Sequence, residues 1–320
     1  MEFFRGVQVD WLGKKWYFLA FSLIFSVAGV ISMAWHWQHI GSPVPLSVDF
    51  RGGTQVQLQF AQAPDTTQIR LATEAAGIKD ARIQNYDVPQ NHEVLISLPE
   101  ETNESALDQG RQQIVDALHA HYNNTFTVRN VQVVGPTVGS QLERKALQAT
   151  LMSLAGMLVY LWFRFQLIYG VAAVVACFHD TLITVGAFAL TGQEISLTVI
   201  AAILTLVGYS MNDTIVVFDR IRENLRLSKR EALADVVNRS INQTLSRTVL
   251  TSGLTFLTVL SLYIFGGEVL KGFSFALVVG ILIGTYSSIA VAAPMLVAWQ
   301  QWRASKGKVT TLPAARRAKG

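Results

Sequence analysis

The sequence predicts a polytopic α-helical membrane protein in which a small α+β domain is inserted between the first two of six transmembrane helices. Charged residues make up only 15% of the 320-residue chain, and the mean hydropathy is +0.33. Soluble domains carry about 25% charged residues. Six stretches are each apolar over the length of about 20 residues that a transmembrane helix needs. Residues 36–145 are instead polar and periodic, as expected of a folded domain outside the membrane.

The six predicted spans are separated by polar segments. They cover Trp16–Trp35, Ala146–Phe163, Leu167–Leu190, Ile195–Phe218, Thr248–Phe265 and Phe273–Trp299. The first is predicted to be a spanning helix and not a cleaved signal peptide. Bulky residues (Trp35, His36 and Trp37) follow it where a cleavage site needs small ones.

Positive charge predicts the orientation of these spans. Lys and Arg are concentrated in residues 1–15, 219–247 and 300–320, whereas the two short loops on the opposite side carry few charges. Short loops rich in Lys and Arg stay on the cytoplasmic side. Both termini and the 219–247 loop are therefore predicted to be cytoplasmic. The excess of positive charge, +4 in total, is therefore explained by membrane topology and by contact with lipid headgroups. Nucleic-acid binding is not expected.

The inserted segment predicts a ferredoxin-like domain. Alternating apolar residues predict a first strand over Thr54–Phe60. A helix over Thr66–Ala76 follows, with Asp65 as its N-cap and Gly77 at its end. The remaining predicted elements are strands over Ala81–Asp87, Glu93–Leu98 and Thr125–Val134, a turn at Pro89–Asn91 and a helix over Glu104–His121. The order β-α-β-β-α-β is typical of the ferredoxin-like fold.

No catalytic or metal-binding group is predicted in this domain. His92, His119 and His121 lack companions at metal-ligand spacing, which favours surface positions. Cys177, the single cysteine, lies in an apolar stretch and is interpreted as a small buried hydrophobic residue. We therefore predict no cofactor and no metal site, and interpret the domain as a binding module rather than an enzyme.

Asp213 is the strongest candidate for a functional residue. It belongs to a polar insertion, Gly208–Thr214, within an apolar span. An Asp at the centre of a transmembrane helix costs about 2.5–3.5 kcal/mol, so its presence indicates function. Asn212 and Thr214 offer hydrogen-bonding partners. An apolar environment favours the protonated form of such a carboxyl group, and a nearby cation favours its ionised form. A group between these two influences can take up and release a proton. The alternative is a structural polar contact between helices.

For three further candidate residues, the sequence allows either a functional or a structural role. His179 and Asp180 lie midway along the third span, where they could extend a proton relay or form a structural hydrogen bond between helices. Arg247 lies where the fifth span begins. Its side chain could extend outward to the membrane interface, as Arg near the end of a span commonly does, or inward to Asp213.

The segment between the fourth and fifth spans is predicted to contain an amphipathic helix at the cytoplasmic interface. Ser228 and Glu231 fit a capping box at its start. Apolar residues at helical spacing then form one face, at Leu233, Val236, Val237, Ile241 and Leu245. In the sixth span, Gly280 and Gly284 form a GxxxG helix-packing motif.

Three segments of the chain together form a specific pattern. The first is Val-Asp-Phe-Arg-Gly-Gly-Thr at residues 48–54, just after the first span. The second is Gly-Tyr-Ser-Met-Asn-Asp-Thr-Ile-Val-Val-Phe-Asp-Arg-Ile-Arg-Glu-Asn at 208–224. The third is Ser-Arg-Thr-Val-Leu-Thr-Ser at 246–252. In this order, the three segments closely resemble the SecF family, the smaller subunits of the bacterial SecD–SecF accessory complex of the Sec protein translocase. The resemblance covers essentially the whole chain.

The resemblance implies a function and partners. The family uses the proton-motive force to assist Sec-dependent translocation of unfolded polypeptides across the bacterial inner membrane into the periplasm. SecD is the implied heteromeric partner, and its six spans complete a bundle like that of the RND exporters, of which this chain supplies half. SecYEG, protons and, in many bacteria, YajC are further implied partners. The family's functional Asp and Arg fall on Asp213 and Arg247, which favours an inward-facing Arg247, whereas His179 and Asp180 stay open.

Three other classes of function are alternatives to protein translocation. An RND-like half-transporter for small molecules or lipids would share the bundle and the acidic residue, but such exporters usually have larger paired exterior domains. An intramembrane protease is disfavoured because the Gly-x-Gly-Asp and His-Glu-x-x-His motifs are absent. A purely structural scaffold would tolerate neutralisation of both Asp213 and Arg247.

Overall fold

The computed structural model describes residues 8–78, 81–86, 91–98, 104–165, 167–228 and 231–306. Within these residues, six helices are long and apolar enough to cross a membrane, which confirms the predicted fold class. The elements are α1 (Lys15–Ile40), α2 (Val48–Arg51), β1 (Gly53–Phe60), α3 (Thr66–Ala75), β2 (Arg82–Tyr86), β3 (Glu93–Leu98), α4 (Glu104–His121), β4 (Phe126–Val134), α5 (Pro136–Arg164), α6 (Leu167–Thr191), α7 (Leu197–Leu227), α8 (Leu233–Phe265), α9 (Gly267–Ser287) and α10 (Ala293–Ser305). A π-helical turn, Ser288–Ala292, joins α9 to α10 within the sixth span.

The inserted domain has the predicted ferredoxin-like topology. Its four strands form one antiparallel sheet in the order β2-β3-β1-β4, and α3 and α4 cover one face. Val56 and Leu58 of β1 are fully buried beneath these helices, as their alternation predicts. Asp65 caps α3 by accepting a hydrogen bond from the Thr67 amide at 2.9 Å. The predicted turn at Pro89–Asn91 lies largely outside the described residues.

The six spanning helices differ in how much of their surface they bury. Helices α6, α7 and α9 pack against one another and form the centre of the bundle. Helices α1 and α5 bury little of their apolar surface and lie at its edge. Gly280 and Gly284 of α9 lie against Leu206 and Ser210 of α7, so the GxxxG pair lies at a helix contact. Cys177 is buried in the same core, as predicted.

Helix α1 is held against α6 by a contact between two glycines. A β-carbon built on Gly29 would lie 2.9 Å from the Cα of Gly186. No side chain fits at this crossing, so the two backbones touch directly. Small residues commonly permit such close approach between transmembrane helices.

Gly29→Ala is expected to lower the thermal unfolding midpoint of the detergent-purified protein, because the added methyl group forces α1 and α6 apart. Overpacking of this kind costs about 1–3 kcal/mol. Gly156→Ala in α5 is the matched control, since a β-carbon there meets nothing within 4 Å. Equal midpoints for the two variants would contradict the glycine contact.

The segment between α7 and α8 differs from the prediction in two ways. Ser228 does not open a helix but ends α7, and α8 begins at Leu233 with no side-chain cap. The predicted capping box is therefore wrong: Ser228 and Glu231 both accept hydrogen bonds from Arg239. The amphipathic stretch is also not a separate helix at the membrane surface. It is the first part of α8, and its apolar face is buried in the protein core.

The inserted domain meets the bundle through the segment that precedes β1. The Ser47 amide donates to the Ile195 carbonyl at 3.0 Å, and the Ile195 amide donates to the Pro45 carbonyl at 2.8 Å. This short parallel bridge ties the segment to the loop that leads into α7. Gly52 and Gly53 then turn the chain into β1 at φ values of +78° and +122°, which only glycine adopts readily.

Candidate functional site

Asp213 lies midway along α7 and is buried in the bundle, with only 3% of its surface exposed. Its Oδ2 atom accepts a hydrogen bond of 2.7 Å from the Ser252 hydroxyl of α8. Burying a carboxylate without full compensation is costly, so one neutral donor leaves Asp213 dependent on its charged neighbours or on a bound proton. Among the described residues, Asp213 is therefore a buried acidic group that a single neutral donor binds directly.

The predicted neighbours of Asp213 occupy different positions around it. Thr214 is buried, but its hydroxyl donates to the Ser210 carbonyl at 3.2 Å. Asn212 is exposed at the surface of the chain. Neither residue hydrogen-bonds the carboxylate, contrary to expectation, and Ser252 supplies that contact instead.

Arg247 lies on α8, five residues before Ser252, and its side chain interacts electrostatically with the Asp213 carboxylate. In the described part of the chain no direct ion pair joins the two residues. Arg247 is exposed at the surface of the isolated subunit. The two charges thus interact without a direct ion pair.

Asp180 forms a second buried carboxylate site. It lies on α6 with no exposed surface. Its Oδ2 accepts hydrogen bonds from Ser210 of α7 at 2.5 Å and from Ser287 of α9 at 2.7 Å. Its Oδ1 lies 3.0 Å from Nδ1 of His179. Asp180 therefore links the three central helices of the bundle.

His179 is partly buried beside Asp180, with 13% of its side chain exposed. Its Nε2 atom is buried, and no hydrogen-bond partner for it exists among the described residues. Among the residues described, the ring therefore has a hydrogen-bond partner at Nδ1 alone, which is Asp180. Among the described residues, no three His, Cys, Asp or Glu side chains gather as a metal site.

Sequence similarity identifies the family. The model for "Protein export membrane protein SecD/SecF, C-terminal" matches residues 114–302, and the model for the SecD/SecF GG motif matches residues 40–64. Protein translocase subunit SecF from Koribacter versatilis is 54% identical, over 96% of this chain and 95% of that protein. This chain belongs to the SecF family. SecF from Desulfurispirillum indicum is 43% identical, over 92% of this chain and 93% of that protein.

Solved structures of SecDF share this architecture. SecDF from Thermus thermophilus, described as a translocon-associated membrane protein, superposes with a TM-score of 0.79 at 40% identity. The match covers 92% of this SecF-family chain but only 39% of the SecDF chain. A second SecDF structure, in a super-membrane-facing form, has a TM-score of 0.67 at 38% identity. This SecF-family chain thus corresponds to about two fifths of a SecDF polypeptide.

Three serines were missed by reasoning from the sequence. Ser210 and Ser287 bind Asp180, and Ser252 binds Asp213. A serine in a transmembrane helix commonly bonds to the backbone of its own preceding turn. Only the packing of α7, α8 and α9 shows that these three reach a carboxylate.

Proposed function

We propose that this SecF-family chain uses the proton-motive force to assist protein translocation, with Asp213 and Arg247 as the coupling pair. The observation that carries the proposal is the buried Asp213 carboxylate in the middle of a spanning helix. Protons are the proposed coupling ion, and a buried carboxylate with one hydroxyl donor is compatible with proton binding. We further propose that the chain has no enzymatic activity of its own.

The proposed cycle begins with protonation of Asp213. Loss of the negative charge removes the attraction between Asp213 and Arg247, and the Ser252 hydroxyl then becomes the main polar contact of the neutral acid. Helices α7 and α8 carry these residues and pack directly on each other. Their repacking moves the inserted domain, which binds and releases the unfolded polypeptide.

The energy source is sufficient for such a cycle. One charge that crosses a potential of 100 mV releases about 2.3 kcal/mol. Reversing a two-state equilibrium from 1:99 to 99:1 takes about 5.5 kcal/mol. Two or three protons in each cycle, about 2.4 by this ratio, would therefore drive a nearly complete switch.

Asp180 and His179 are proposed as a second part of the relay, together with Asn212 and Thr214 beside the main site. Ser210 supports this proposal, because its hydroxyl binds Asp180 while its carbonyl accepts from Thr214, the neighbour of Asp213. The two carboxylate sites are thus joined by α7. A change at either site alters the packing of the same helix.

SecD is the proposed partner, since the SecDF structures that this chain resembles are more than twice its length. SecYEG, YajC and the translocating polypeptide are proposed further partners. The proposed location is the bacterial inner membrane, with both termini cytoplasmic and the inserted domain periplasmic. The concentration of Lys and Arg near the termini and between α7 and α8 supports this orientation.

Complementation of cells depleted of their own SecF tests the function. Expression of this chain with its cognate SecD is expected to restore export of secretory precursors, and to restore it only while the proton gradient is intact. The measurement is the fraction of precursor that becomes accessible to protease outside the cell membrane, with and without an uncoupler.

Purification of the same complex separates the alternatives. Recovery with SecD and the SecYEG channel supports a role in translocation. Recovery with an outer-membrane channel, together with unchanged precursor export, would instead indicate the RND-like half-transporter for small molecules or lipids.

A further inference from the structure

An apolar groove lies between the start of α1 and helices α8 and α9. Its volume is about 360 Å³, and apolar side chains supply most of its walls. Trp11 and Phe18 line it on the side of α1, Val249 and Phe256 line it on α8, and Leu282 lines it on α9. Val249 and Leu282 are also exposed at the surface of the chain. The groove therefore opens sideways, out of the bundle.

The hydroxyl groups in the walls of the groove are already engaged within the chain. Three of the lining residues carry a hydroxyl group. Ser252 donates to Asp213 at 2.7 Å, and Thr285 donates to a carbonyl of its own helix, also at 2.7 Å. Tyr286 donates to the Phe18 carbonyl. Polar groups that stay unpaired in an apolar site are costly. The walls therefore suit a hydrocarbon chain better than a polar occupant.

The wall on the side of α1 is fixed by hydrogen bonds to both neighbouring helices. The Trp11 indole nitrogen donates to the Asn242 side chain of α8 at 2.9 Å, and the Trp11 amide donates to the Asn238 side chain at 3.1 Å. On the other side, the Phe18 carbonyl accepts from Tyr286 of α9. These contacts set the distance between the three elements, so the groove is a defined feature of the fold.

Positive charge accompanies the end of the groove that is proposed to be cytoplasmic. Trp11 and Phe18 lie at the start of the first span, and Lys14 and Lys15 stand between them in the sequence, accessible to solvent. Asp10 is the neighbouring acidic residue, and its carboxylate already accepts two hydrogen bonds, of 2.9 and 2.6 Å, from the chain itself. Cationic side chains at this level of a membrane attract anionic lipid headgroups.

The opposite face of α8 suits a protein partner. At about 100° per residue, Arg247 lies about half a turn around the helix from Val249 and Phe256, which line the groove. Arg247 is exposed in the isolated subunit. A charged side chain that faces hydrocarbon is costly, so the proposed partner SecD is expected on the Arg247 side. The groove, on the other side, then faces lipid.

We propose that the groove binds one acyl chain of an anionic phospholipid, whose headgroup lies at Lys14 and Lys15. The lipid belongs to the leaflet that is proposed to be cytoplasmic. Its chain lies against Ser252, the residue that donates to the Asp213 carboxylate, and so packs on the part of α8 that forms this site. Lipid binding here does not depend on proton coupling, and its test needs no measurement of translocation.

Photolabelling tests the site in the complex of this chain with its cognate SecD. The probe is phosphatidylglycerol that carries a diazirine in one acyl chain, in vesicles of phosphatidylcholine. Phosphatidylcholine with the same labelled chain is the comparison. The anionic probe is expected to label Val249 and Leu282 several-fold more than the zwitterionic probe does. Both probes should label Met152 equally, since it is exposed on α5, away from the groove.

Gly253 allows the groove to be filled. It lines the groove, and a β-carbon built on it meets nothing within 4 Å, so a side chain added there has room. Gly253→Leu is expected to lower labelling of the groove several-fold. Gly156→Leu is the matched control on α5, where a β-carbon also meets nothing within 4 Å, and should leave labelling unchanged.

Replacement of the two lysines tests the headgroup separately, in a protein whose groove is intact. Lys14→Gln combined with Lys15→Gln is expected to reduce labelling by the anionic probe to the level of the zwitterionic probe. Equal labelling of the groove by both probes in the parent complex would overturn the proposal. Labelling of the groove in the isolated chain but not in the complex would assign the groove to SecD and also overturn it.

Thermal unfolding gives an independent readout, because a ligand that binds the folded state raises the unfolding midpoint. Phosphatidylglycerol added to the detergent-purified complex is expected to raise the midpoint of the parent and of Gly156→Leu. The rise should be absent in Gly253→Leu. An equal rise in all three proteins would place the stabilising lipid elsewhere and contradict the proposed site.

Discussion

Asp213→Asn is expected to abolish the part of protein translocation that depends on the proton gradient, while the complex still assembles. The amide has nearly the size of the carboxyl group and retains an oxygen that accepts the Ser252 hydrogen bond. It cannot bind or release a proton. Translocation into membrane vesicles, measured with and without an imposed gradient, is therefore expected to become equal in the two conditions.

Asp219→Asn is the matched control for this variant. Asp219 lies on the same helix, but about half of its side chain is exposed, and it pairs with Arg222 and Arg164 at the surface. The same chemical change there should leave gradient-dependent stimulation intact. If stimulation survived in Asp213→Asn, proton coupling through this residue would be refuted, and the structural interpretation of Asp213 would remain.

Asp180→Ala is expected to destabilise the bundle by about 2–4 kcal/mol, because it leaves buried hydroxyl groups without their acceptor and creates a cavity. Ser210 loses its acceptor, and Ser287 keeps only a long contact of 3.2 Å with the Gly284 carbonyl. The measurement is the thermal unfolding midpoint of the purified protein. Asp219→Ala, at an exposed position, should change the midpoint little.

Asp180→Asn separates the structural role of this residue from a role in the relay. The amide oxygen can still accept from Ser210 or Ser287, so most of the stability should be retained. If Asp180 belongs to the relay, gradient-dependent stimulation falls several-fold in a protein that is still folded. Full stimulation would exclude Asp180 from the relay and leave it as the link between α6, α7 and α9.

The architecture was predictable because its signals are local. Hydropathy identifies a span from a single run of residues, and strand alternation identifies β1 and β3 without knowledge of their neighbours. Asp213 and Asp180 were recognisable for the same reason, since an acidic residue in an apolar run is conspicuous by itself.

The contacts of these residues were not predictable, because they depend on packing between distant segments. Ser252 is 39 residues from Asp213, and Ser287 is 107 residues from Asp180. The capping box failed for a related reason. Ser228 matches the local pattern, but Arg239 from the next helix binds its hydroxyl, and the new helix begins only at Leu233.

The π-helical turn in the sixth span sets the rotational phase of the last helix. A π turn contains one residue more than an α turn, and one residue corresponds to a rotation of about 100° around a helix axis. Because of Ser288–Ala292, α9 can present Ala276 and Ile281 to the core while α10 presents Ala293 and Leu296 to it. The turn lies directly after Ser287, the ligand of Asp180. The extra residue therefore fixes which face of α10 points toward the core relative to α9, directly beside the Asp180 site.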